Sequence, residues 1–440
     1  MNKKRLLVVS ADAMICEDLE LLKELPNFRK YLSGGCEVTE GMRSVYPSVT
    51  YPAHVSMITG CYPGTHGLTS NFRFSVNQKD QNWLWYGGYQ VEDLFAAAKQ
   101  AGYTTAAISW PATAGNQNVD WLMAEYWMPK PGDTLRSSFA DAGSSEEMLE
   151  IIEANKAYLP NGWEKGGKTA FMQWPVIDDF NIHVACDVLR KKKPEVCFVH
   201  TGTFDTYRHR YGVSTSWTRE AVFRLDGYLG ALMEACRAGG FLEQVNLVLV
   251  SDHGQRNISR ILNLNVLFAD QGWLQPGEKG EISDWQAISF SNAMSALVYL
   301  RHPEDEEIRK KVYSCLCHWQ EEGIYGIGAV FTAEEAWKQY HLKGSFSFVI
   351  ESDGYTSFGD RAVRPLVQNF DDSDYRHGRA THGGLPEYGP QPVFVAKGPD
   401  FQNCCQLKRR DLVDEAPTYA RLLGITLKDA EGKEMEEFLR

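Results

Sequence analysis

The chain has 440 residues, 43 % of them hydrophobic and 23 % charged, a balance typical of globular proteins and not of disordered ones. Its net charge of −12 and the lack of long Lys or Arg runs argue against binding to nucleic-acid polymers or an anionic membrane. No segment approaches the roughly 18 consecutive apolar residues that cross a bilayer. An anionic small-molecule substrate would therefore need local positive charge, which bound metal ions supply.

The ten cysteines indicate a reducing compartment. They are scattered through predicted strands and helices, and neither of the two close pairs has the spacing of a zinc ribbon. The apolar stretch that follows the basic N-terminal residues runs only from Leu6 to Val9, which is too short for a signal peptide. We therefore expect reduced, mostly buried thiols in a cytoplasmic protein.

Short β-branched runs alternate along the chain with stretches of helical periodicity. The apolar runs that predict strands are residues 6–10, 104–110, 196–202, 246–252 and 392–398. The segments with apolar residues at helical spacing are residues 91–102, 180–193 and 217–240. Continuous rather than alternating apolarity indicates strands covered on both faces, hence a mainly parallel sheet. The alternation of the two patterns predicts a doubly wound α/β core.

Residues 262–365 depart from this pattern and combine short strands with a highly charged helix. We predict a smaller inserted α+β cap subdomain there, with residues 1–261 and 366–440 forming the core. The twelve tryptophans, concentrated in 83–174 and 273–337, either line a substrate cleft or fill a large core, and composition does not choose between them.

Acidic residues and histidines follow three of the predicted strands directly. Ligand sites of doubly wound sheets form outside the carboxyl ends of the strands, so these side chains should meet at one edge of the sheet. A single aspartate at a strand end usually caps the next helix, whereas three with histidines attached favour a functional site. The residues are Asp12, Asp205, His209, Asp252 and His253, and His382 before the last predicted strand can join them.

Aspartate and histidine supply the oxygen and nitrogen ligands that suit Zn²⁺ or a similar transition-metal ion. With Thr50 there are seven candidate ligands, too many for one tetrahedral ion and suitable for two. Two ions about 4 Å apart can hold the attacking and leaving oxygens of a phosphoryl displacement.

The candidate nucleophile lies in the segment VYPSVTYPAHVSMITG. Because proline favours the first helical turn, Pro52 places Thr50 at or just before a helix N-terminus. The free N–H groups and positive dipole end there attract phosphate and favour an alkoxide, and a metal ion on the Thr50 oxygen would activate it further. From this segment alone, a Thr50 that merely caps the helix is equally consistent.

These residues, in this order, resemble the alkaline phosphatase superfamily, specifically its type I phosphodiesterase/nucleotide pyrophosphatase family. The stretch PSVTYPAHVSMITGCYPGTHGLTSN (47–71) is similar to the family's P-T-x-T-F-P-N-H…T-G-x-Y-P-x-x-H-G-[IL]-x-x-N. The segments VSADAM, FDTYRHRYG, VSDHGQ and HGG…GPDF match other family blocks in order. The resemblance is weakest in residues 113–175 and 262–365.

The resemblance implies an alkaline phosphatase-like α/β/α sandwich with two zinc ions, Mn²⁺ or Fe being alternatives. It assigns one ion to Asp205, His209 and His382, and the other to Asp12, Thr50, Asp252 and His253. It also implies that Thr50 attacks a phosphodiester or pyrophosphate bond of a nucleotide-like substrate, forming a phospho-threonine intermediate that water hydrolyses.

Three alternatives stay open: a phosphonate hydrolase, a phosphomonoesterase, and a catalytically weak metal-binding protein. A threonine at position 50, rather than Cys or Ser, disfavours the formylglycine chemistry of sulfatases. No match is found for the phosphate-binding arginine of monoester-cleaving alkaline phosphatases. The intact seven-residue set disfavours the inert binder. The organic part of the substrate and the oligomeric state are not set by the sequence.

Several positions near these motifs depart from the family pattern. Ala53 stands where the resemblance expects an asparagine that hydrogen-bonds a phosphoryl oxygen, so we expect one transition-state donor to be lost. Arg208 replaces a glycine and either reaches an anionic group of the substrate or, as we expect, faces solvent. Tyr51 and, more weakly, Tyr207 are candidates to stack on a nucleobase or another leaving group.

The remaining polar residues of the motifs are interpreted as structural. His54 is expected to be a hydrogen-bonding residue of the first helical turn, and His66 and Asn71 are expected to fix a loop. His200 is grouped with the other unmatched histidines as structural or surface-exposed.

Overall fold

The structure is a computed structural model that describes residues 3–77, 83–126, 129–130, 132–166, 171–374 and 377–440. The α-helices of these residues are α1 (Cys16–Leu22), α2 (Pro26–Tyr31), α3 (Thr50–Thr59), α4 (Pro63–His66), α5 (Leu94–Gln100), α6 (Leu135–Asp141), α7 (Glu146–Ala154), α8 (Val176–Lys191), α9 (Thr203–Tyr211), α10 (Ser216–Gly239), α11 (Leu264–Asp270), α12 (Glu306–Glu322), α13 (Ala333–Tyr340) and α14 (Glu415–Leu423).

The strands of the same residues are β1 (Arg5–Ala11), β2 (Cys36–Val38), β3 (Met42–Arg43), β4 (Thr105–Ile108), β5 (Trp121–Met123), β6 (Val196–Thr201), β7 (Val245–Val250), β8 (Arg256–Asn257), β9 (Arg260–Asn263), β10 (Leu274–Pro276), β11 (Ile282–Trp285), β12 (Ala287–Ser291), β13 (Ser295–Leu300), β14 (Ile327–Thr332), β15 (Phe348–Ser352), β16 (Thr356–Gly359), β17 (Val367–Gln368), β18 (Ala380–Thr381), β19 (Phe394–Lys397), β20 (Gln406–Leu407) and β21 (Arg410–Asp411).

An eight-stranded sheet forms the centre of the fold, in the order β20-β2-β19-β7-β1-β6-β4-β5. Strand β1 lies in its middle and pairs in parallel with β6 and β7. Both faces are buried, because Leu7 and Val9 of β1 belong to one hydrophobic cluster and Leu6 and Val8 to another. The predicted α/β sandwich with a mainly parallel sheet is confirmed.

Strand β19 is the exception among the predicted core strands, because it runs antiparallel to both of its neighbours, β7 and β2. Its amino end therefore lies at the edge of the sheet where the parallel strands β1, β6 and β7 end. His382 lies at the same edge, directly after β18, which pairs with β8 a few residues beyond the end of β7.

The three predicted helices correspond to α5, α8 and α10, and α8 begins four residues earlier than predicted. Helix α10 shows how local sequence sets helix ends. The Thr215 hydroxyl accepts from the Thr218 amide at 3.4 Å in a capping box. The C-cap residue, Gly240, has a φ of 83°, a conformation that residues with a side chain rarely adopt.

A second, antiparallel sheet has the order β12-β13-β15-β14 and carries α12 and α13. The strands and helices predicted within 262–365 are all found there, and their apolar residues form a separate hydrophobic cluster. A small sheet of β9, β16 and β17 lies at the ends of this segment and pairs Leu262 with both Phe358 and Val367. The domain boundaries at 262 and 365 stay a prediction.

None of the described helices is long and apolar enough to span a membrane. All ten cysteines carry free thiols. The predicted cytoplasmic location is not tested by either observation and stays a prediction.

A buried carboxyl group joins the inserted sheet to the core. Glu351 of β15 is 5 % exposed, and its two oxygens accept hydrogen bonds from the Tyr46 hydroxyl and the Leu385 amide, both at 2.9 Å. Burial raises the pKa of Glu351 from an ordinary 4.5 to about 8. The side chain is therefore protonated at neutral pH in the folded protein.

Replacing Glu351 with glutamine is expected to change how stability depends on pH. Between about pH 4.5 and 8 the folded state keeps the proton of Glu351 and the unfolded state has lost it. The wild-type free energy of unfolding therefore falls as pH rises, by up to about 1.4 kcal/mol per pH unit from this group. Glutamine keeps the shape and does not titrate, so urea unfolding of metal-free protein should show the variant gaining stability relative to wild type from pH 5.5 to 7.5. A constant difference between the two proteins would contradict this prediction.

Candidate metal centre and substrate cavity

The first group of metal-ligand candidates is formed by helix α9 and the loop before β19. Asp205 and His209 are one turn apart on α9, and the His209 Nε2 atom lies 3.2 Å from the Asp205 Oδ1 atom. The Nε2 atom of His382 lies 3.7 Å from the same oxygen. Each imidazole donates its Nδ1–H to a backbone oxygen, His209 to Ala380 at 2.8 Å and His382 to Ser48 at 2.9 Å. These bonds leave both Nε2 lone pairs facing the carboxylate, as in metal-ligating histidines.

The second group is formed by the ends of β1 and β7 and the start of α3. The His253 Nε2 atom lies 3.1 Å from Asp252 Oδ2 and 3.6 Å from Asp12 Oδ1. The Thr50 hydroxyl lies 3.3 Å from the same nitrogen. The Ala13 amide donates to the other oxygen of Asp252 at 3.1 Å and fixes the direction of that carboxylate.

The two groups are adjacent. The rings of His253 and His382 stack with centroids 3.8 Å apart. Candidate ligand atoms lie within 4.8 Å of one another in the set Asp205, His209 and His382, and again in the set Asp12, Asp205 and His253. The structure thus brings all seven predicted residues to one place: Asp12, Thr50, Asp205, His209, Asp252, His253 and His382.

The electrostatics of this cluster suit divalent cations. The atoms Asp12 Oδ1, Asp252 Oδ2 and His209 Nε2 are buried and have no hydrogen-bond partner among the described residues. Burial and the neighbouring Asp252 raise the pKa of Asp12, and burial raises that of Asp252 to about 8. Burial lowers the pKa of His382 to about 4, so its imidazole is neutral at pH 7. Crowded carboxyl groups beside neutral imidazoles form a donor set that fits bound metal ions.

Thr50 is the first residue of α3, which confirms its predicted place at a helix N-terminus. Its side chain lines a cavity next to the cluster. Asn71 lines the same cavity, and its Oδ1 atom accepts from the Tyr51 amide at 2.8 Å. The NH₂ group of Asn71 donates to none of the described residues. Asn71 therefore fixes a loop, as predicted, and also offers a hydrogen-bond donor beside Thr50.

The expectation about position 53 is corrected by the packing. Ala53 is fully buried and belongs to a hydrophobic cluster beneath the central sheet, away from the cavity. A larger polar side chain there would enter the core and not the site. The Ala53 departure thus removes no donor from the cavity, where Asn71 supplies one.

Much of the wall of the cavity next to the cluster is aromatic. The aromatic residues of the wall are Tyr51, Phe72, Trp83, Phe171 and Trp174. The Tyr51 hydroxyl donates to Glu125 Oε2 at 2.6 Å, and the Tyr51 ring lies 5.5 Å from that of Trp83. The tryptophans thus both line the cavity and fill the core, because Trp110 and Trp273 are buried in the hydrophobic clusters. Trp127 lies outside the described residues.

Tyr207 and Arg208 lie outside this cavity wall. Arg208 is fully buried and donates to the Asp18 carboxylate at 2.8 Å and to the Ala13 carbonyl, so the expected solvent-facing side chain is wrong. The Tyr207 hydroxyl donates to Glu220 at 2.7 Å. Arg208 ties α9, which carries Asp205 and His209, to the segment that follows β1.

Some residues of the site were not found by sequence reasoning. His200 is the penultimate residue of β6. Its Nε2 atom lies 3.6 Å from Asp12 Oδ2, and it lines the cavity. Its strand-end position was the available signal. Gln255 donates to the Asp205 backbone oxygen at 3.1 Å and to its carboxylate. Glu125 comes from a stretch without any motif, so nothing in the sequence indicated it.

Two further buried residues hold the site in place. His54 donates through Nδ1 to the Thr50 carbonyl at 2.9 Å, and its Nε2 atom lies 2.8 Å from the Ser10 hydroxyl, bonds of the kind expected for a structural histidine. Asp178 accepts from the Gly202 and Thr203 amides at 3.0 and 2.9 Å, at the start of helix α9. An anion there is stabilised by the helix N-terminus.

A mainly parallel α/β sheet with this cluster at the carboxyl ends of its strands defines the alkaline phosphatase-like fold class. Solved structures share the fold. One of them is murine ectonucleotide pyrophosphatase/phosphodiesterase 5. Its alignment covers 99 % of this chain and 100 % of the murine chain, at a TM-score of 0.66 and 17 % identity. An inactive threonine-to-alanine variant of that murine protein, in complex with AMP, aligns over 100 % of both chains at a TM-score of 0.66 and 16 % identity.

The family profile for type I phosphodiesterase/nucleotide pyrophosphatase matches residues 6–376, and the chain belongs to that family. Human ectonucleotide pyrophosphatase/phosphodiesterase family member 1 is 24 % identical over 243 residues, which are 53 % of this chain and 22 % of the relative. Venom phosphodiesterase of Naja atra is 24 % identical over 268 residues, 59 % of this chain and 27 % of the relative. The chain thus matches about a quarter of the length of these relatives.

Proposed function

We propose that this protein hydrolyses phosphodiester or pyrophosphate bonds of small, nucleotide-like substrates with Thr50 as the nucleophile and two divalent cations as cofactors. The observation that carries the proposal is the place of the Thr50 hydroxyl, 3.3 Å from His253 Nε2 and open to the cavity. A threonine that only capped its helix would have no reason to lie among six candidate metal ligands.

The chemistry proceeds in two displacements at phosphorus. The Thr50 oxygen attacks, the bond from phosphorus to the leaving oxygen breaks, and the leaving group takes a proton from solvent. Water then attacks the phospho-threonine, which releases a phosphate monoester and restores the Thr50 hydroxyl. When bound, two divalent cations supply positive charge that favours the Thr50 alkoxide and neutralises the phosphoryl oxygens. The nitrogen and oxygen donors make zinc the first choice, with Mn²⁺ or Fe as alternatives.

The residues around Thr50 bind and orient the phosphoryl group. The NH₂ group of Asn71 is held by its own Oδ1 bond to the Tyr51 amide and donates to a phosphoryl oxygen. A preorganised donor of this type contributes about 3 kcal/mol to transition-state stabilisation. His209 and His382 keep their Nε2 lone pairs on the metal side because their Nδ1 protons are committed to backbone oxygens.

The substrate's organic group is proposed to lie against the aromatic wall. A planar base gains stacking energy on Tyr51 and the neighbouring tryptophans. The AMP complex of the murine structural neighbour supports a nucleotide-like substrate. Stacking on Tyr207 is not proposed, because Tyr207 does not line the cavity.

The purified protein is expected to contain about two zinc ions per chain and to cleave bis-(p-nitrophenyl) phosphate faster than p-nitrophenyl phosphate. A ratio of about tenfold or more corresponds to 1.4 kcal/mol of differential transition-state binding. Metal analysis and release of nitrophenol measure both. Faster cleavage of the monoester would indicate a phosphomonoesterase, and phosphate release from phosphonoacetate a phosphonate hydrolase. Bound metal without any of these activities would favour the inert metal-binding protein.

A further inference from the structure

The loop that carries His382 lies between two cavities. Thr381 and His382 line the substrate cavity on one side. On the other side they line a second, small cavity, together with Ser48, Glu351 and Leu385. Hydrogen bonds from neighbouring segments contribute to holding the loop between these two cavities.

Several of those hydrogen bonds come from the inserted sheet. The Met294 amide donates to the His382 carbonyl at 3.0 Å, and the Ser295 hydroxyl donates to the Gly383 carbonyl at 2.5 Å. The approach is close, because a Cβ atom added at Gly383, whose φ is +95°, would lie 1.8 Å from the Asn292 carbonyl oxygen. The tip of the β12–β13 hairpin and the His382 loop thus form one contact surface.

Glu351 connects the two segments that hold the His382 imidazole. It lies opposite Ser295 in the β13–β15 register, and its Oε1 atom accepts from the Leu385 amide, three residues after His382. Its Oε2 atom accepts from the Tyr46 hydroxyl. Tyr46 lies two residues before Ser48, and the Ser48 carbonyl accepts the Nδ1–H of His382. One buried side chain therefore holds both the backbone after His382 and the segment that orients its ring.

We propose that Glu351, contributed by the inserted sheet, is a positioning residue that fixes His382 for the metal ion shared with Asp205 and His209. This inference rests on the proposed function, which places a metal ion at those three residues. It gives the inserted sheet a part in metal binding in addition to its place beside the cavity. The same contact makes the metal centre sensitive to any displacement of that sheet.

The test is zinc binding by metal-free protein in competition with a chromophoric chelator, for wild type, Glu351→Gln and Glu351→Leu. Glutamine can still accept from the Leu385 amide and donate to the Tyr46 oxygen, so this variant should bind two zinc ions as wild type does. Leucine has similar volume and makes neither bond. It should weaken one of the two sites about 10- to 100-fold, the range found when groups that orient a metal ligand are removed.

His382→Ala identifies the affected site. The double variant Glu351→Leu/His382→Ala should bind zinc no more weakly than His382→Ala alone, because Glu351 acts through His382. Thermal unfolding of each metal-free variant checks folding. If Glu351→Leu does not fold, Tyr46→Phe takes its place, because this variant removes one hydrogen bond to Glu351. Tyr46→Phe should weaken zinc binding at the same site by a smaller factor.

Equal weakening of both sites, unchanged binding in Glu351→Leu, or additive losses in the double variant would overturn the proposal. So would a Glu351→Gln variant as weak as Glu351→Leu. A wild-type protein that binds no zinc would overturn the proposed function and this inference together. Two intact sites in wild type with no effect at Glu351 would overturn this inference alone.

Discussion

Replacing Thr50 with alanine is expected to lower the hydrolysis of a phosphodiester about 10³-fold or more, because the variant lacks the attacking oxygen. The metal content should fall little, since six of the seven candidate ligands remain. Steady-state kinetics with bis-(p-nitrophenyl) phosphate and metal analysis of the same sample measure the two effects.

Thr50→Ser is the matched control, because serine keeps a hydroxyl at the start of α3. It should retain measurable diesterase activity and accumulate a phosphorylated protein detectable by intact mass after acid quenching. An alanine variant with more than a tenth of wild-type activity would exclude Thr50 as the nucleophile.

Asp205→Asn is expected to have the second large effect, because the Asp205 carboxylate belongs to both sets of candidate ligand atoms that lie within 4.8 Å of one another. The substitution keeps the shape of the side chain and removes one negative charge between His209 and His382. Metal ions supply several kcal/mol of transition-state stabilisation, so diesterase activity should fall about 10²-fold or more. The zinc content should drop from about two ions per chain toward none.

Asp284→Asn is a suitable control for Asp205→Asn. Its carboxylate is about half exposed and pairs with Arg301 in the inserted segment, away from the metal centre. It should leave both activity and zinc content unchanged. Full zinc occupancy in Asp205→Asn would show that Asp205 is not a metal ligand and would require a different ligand assignment.

The residues that line the cavity come from two kinds of sequence. Thr50 and the metal-ligand candidates come from motifs that the family shares, whereas Glu125, Trp174 and Asn292 come from stretches where the resemblance is weakest. Substrate preference is expected to follow the wall and not the metal centre.

Much of the site follows from strand-end positions in the sequence. Asp12, Asp205 and Asp252 each come directly after a continuous apolar strand, or shortly after its end, and parallel strands end at the same edge of a sheet. His382 was harder to place, because it precedes a strand. It lies at that edge because β18, which ends at Thr381, pairs with β8, and β8 follows β7 by a few residues.

Side-chain direction was the main source of wrong expectations. Arg208 was expected to face solvent, yet it is buried against Asp18, since one face of α9 packs on the segment after β1. Ala53 was expected to remove a donor from the site, yet its position faces the core. A motif gives the spacing of residues along the chain, whereas the packing of a helix decides which of them point into a cavity.

The sequence by itself determined the α/β class, the metal-ligand candidates and the place of Thr50, because strand periodicity and helix-start chemistry are local properties. The cavity wall, the donor role of Asn71 and the link from Glu351 to His382 were decided only by the tertiary structure. These features join residues that are tens to hundreds of positions apart, such as Tyr46 and Glu351. Contacts of that kind leave no periodic or spacing signal in a single sequence, since they arise from how separate segments pack.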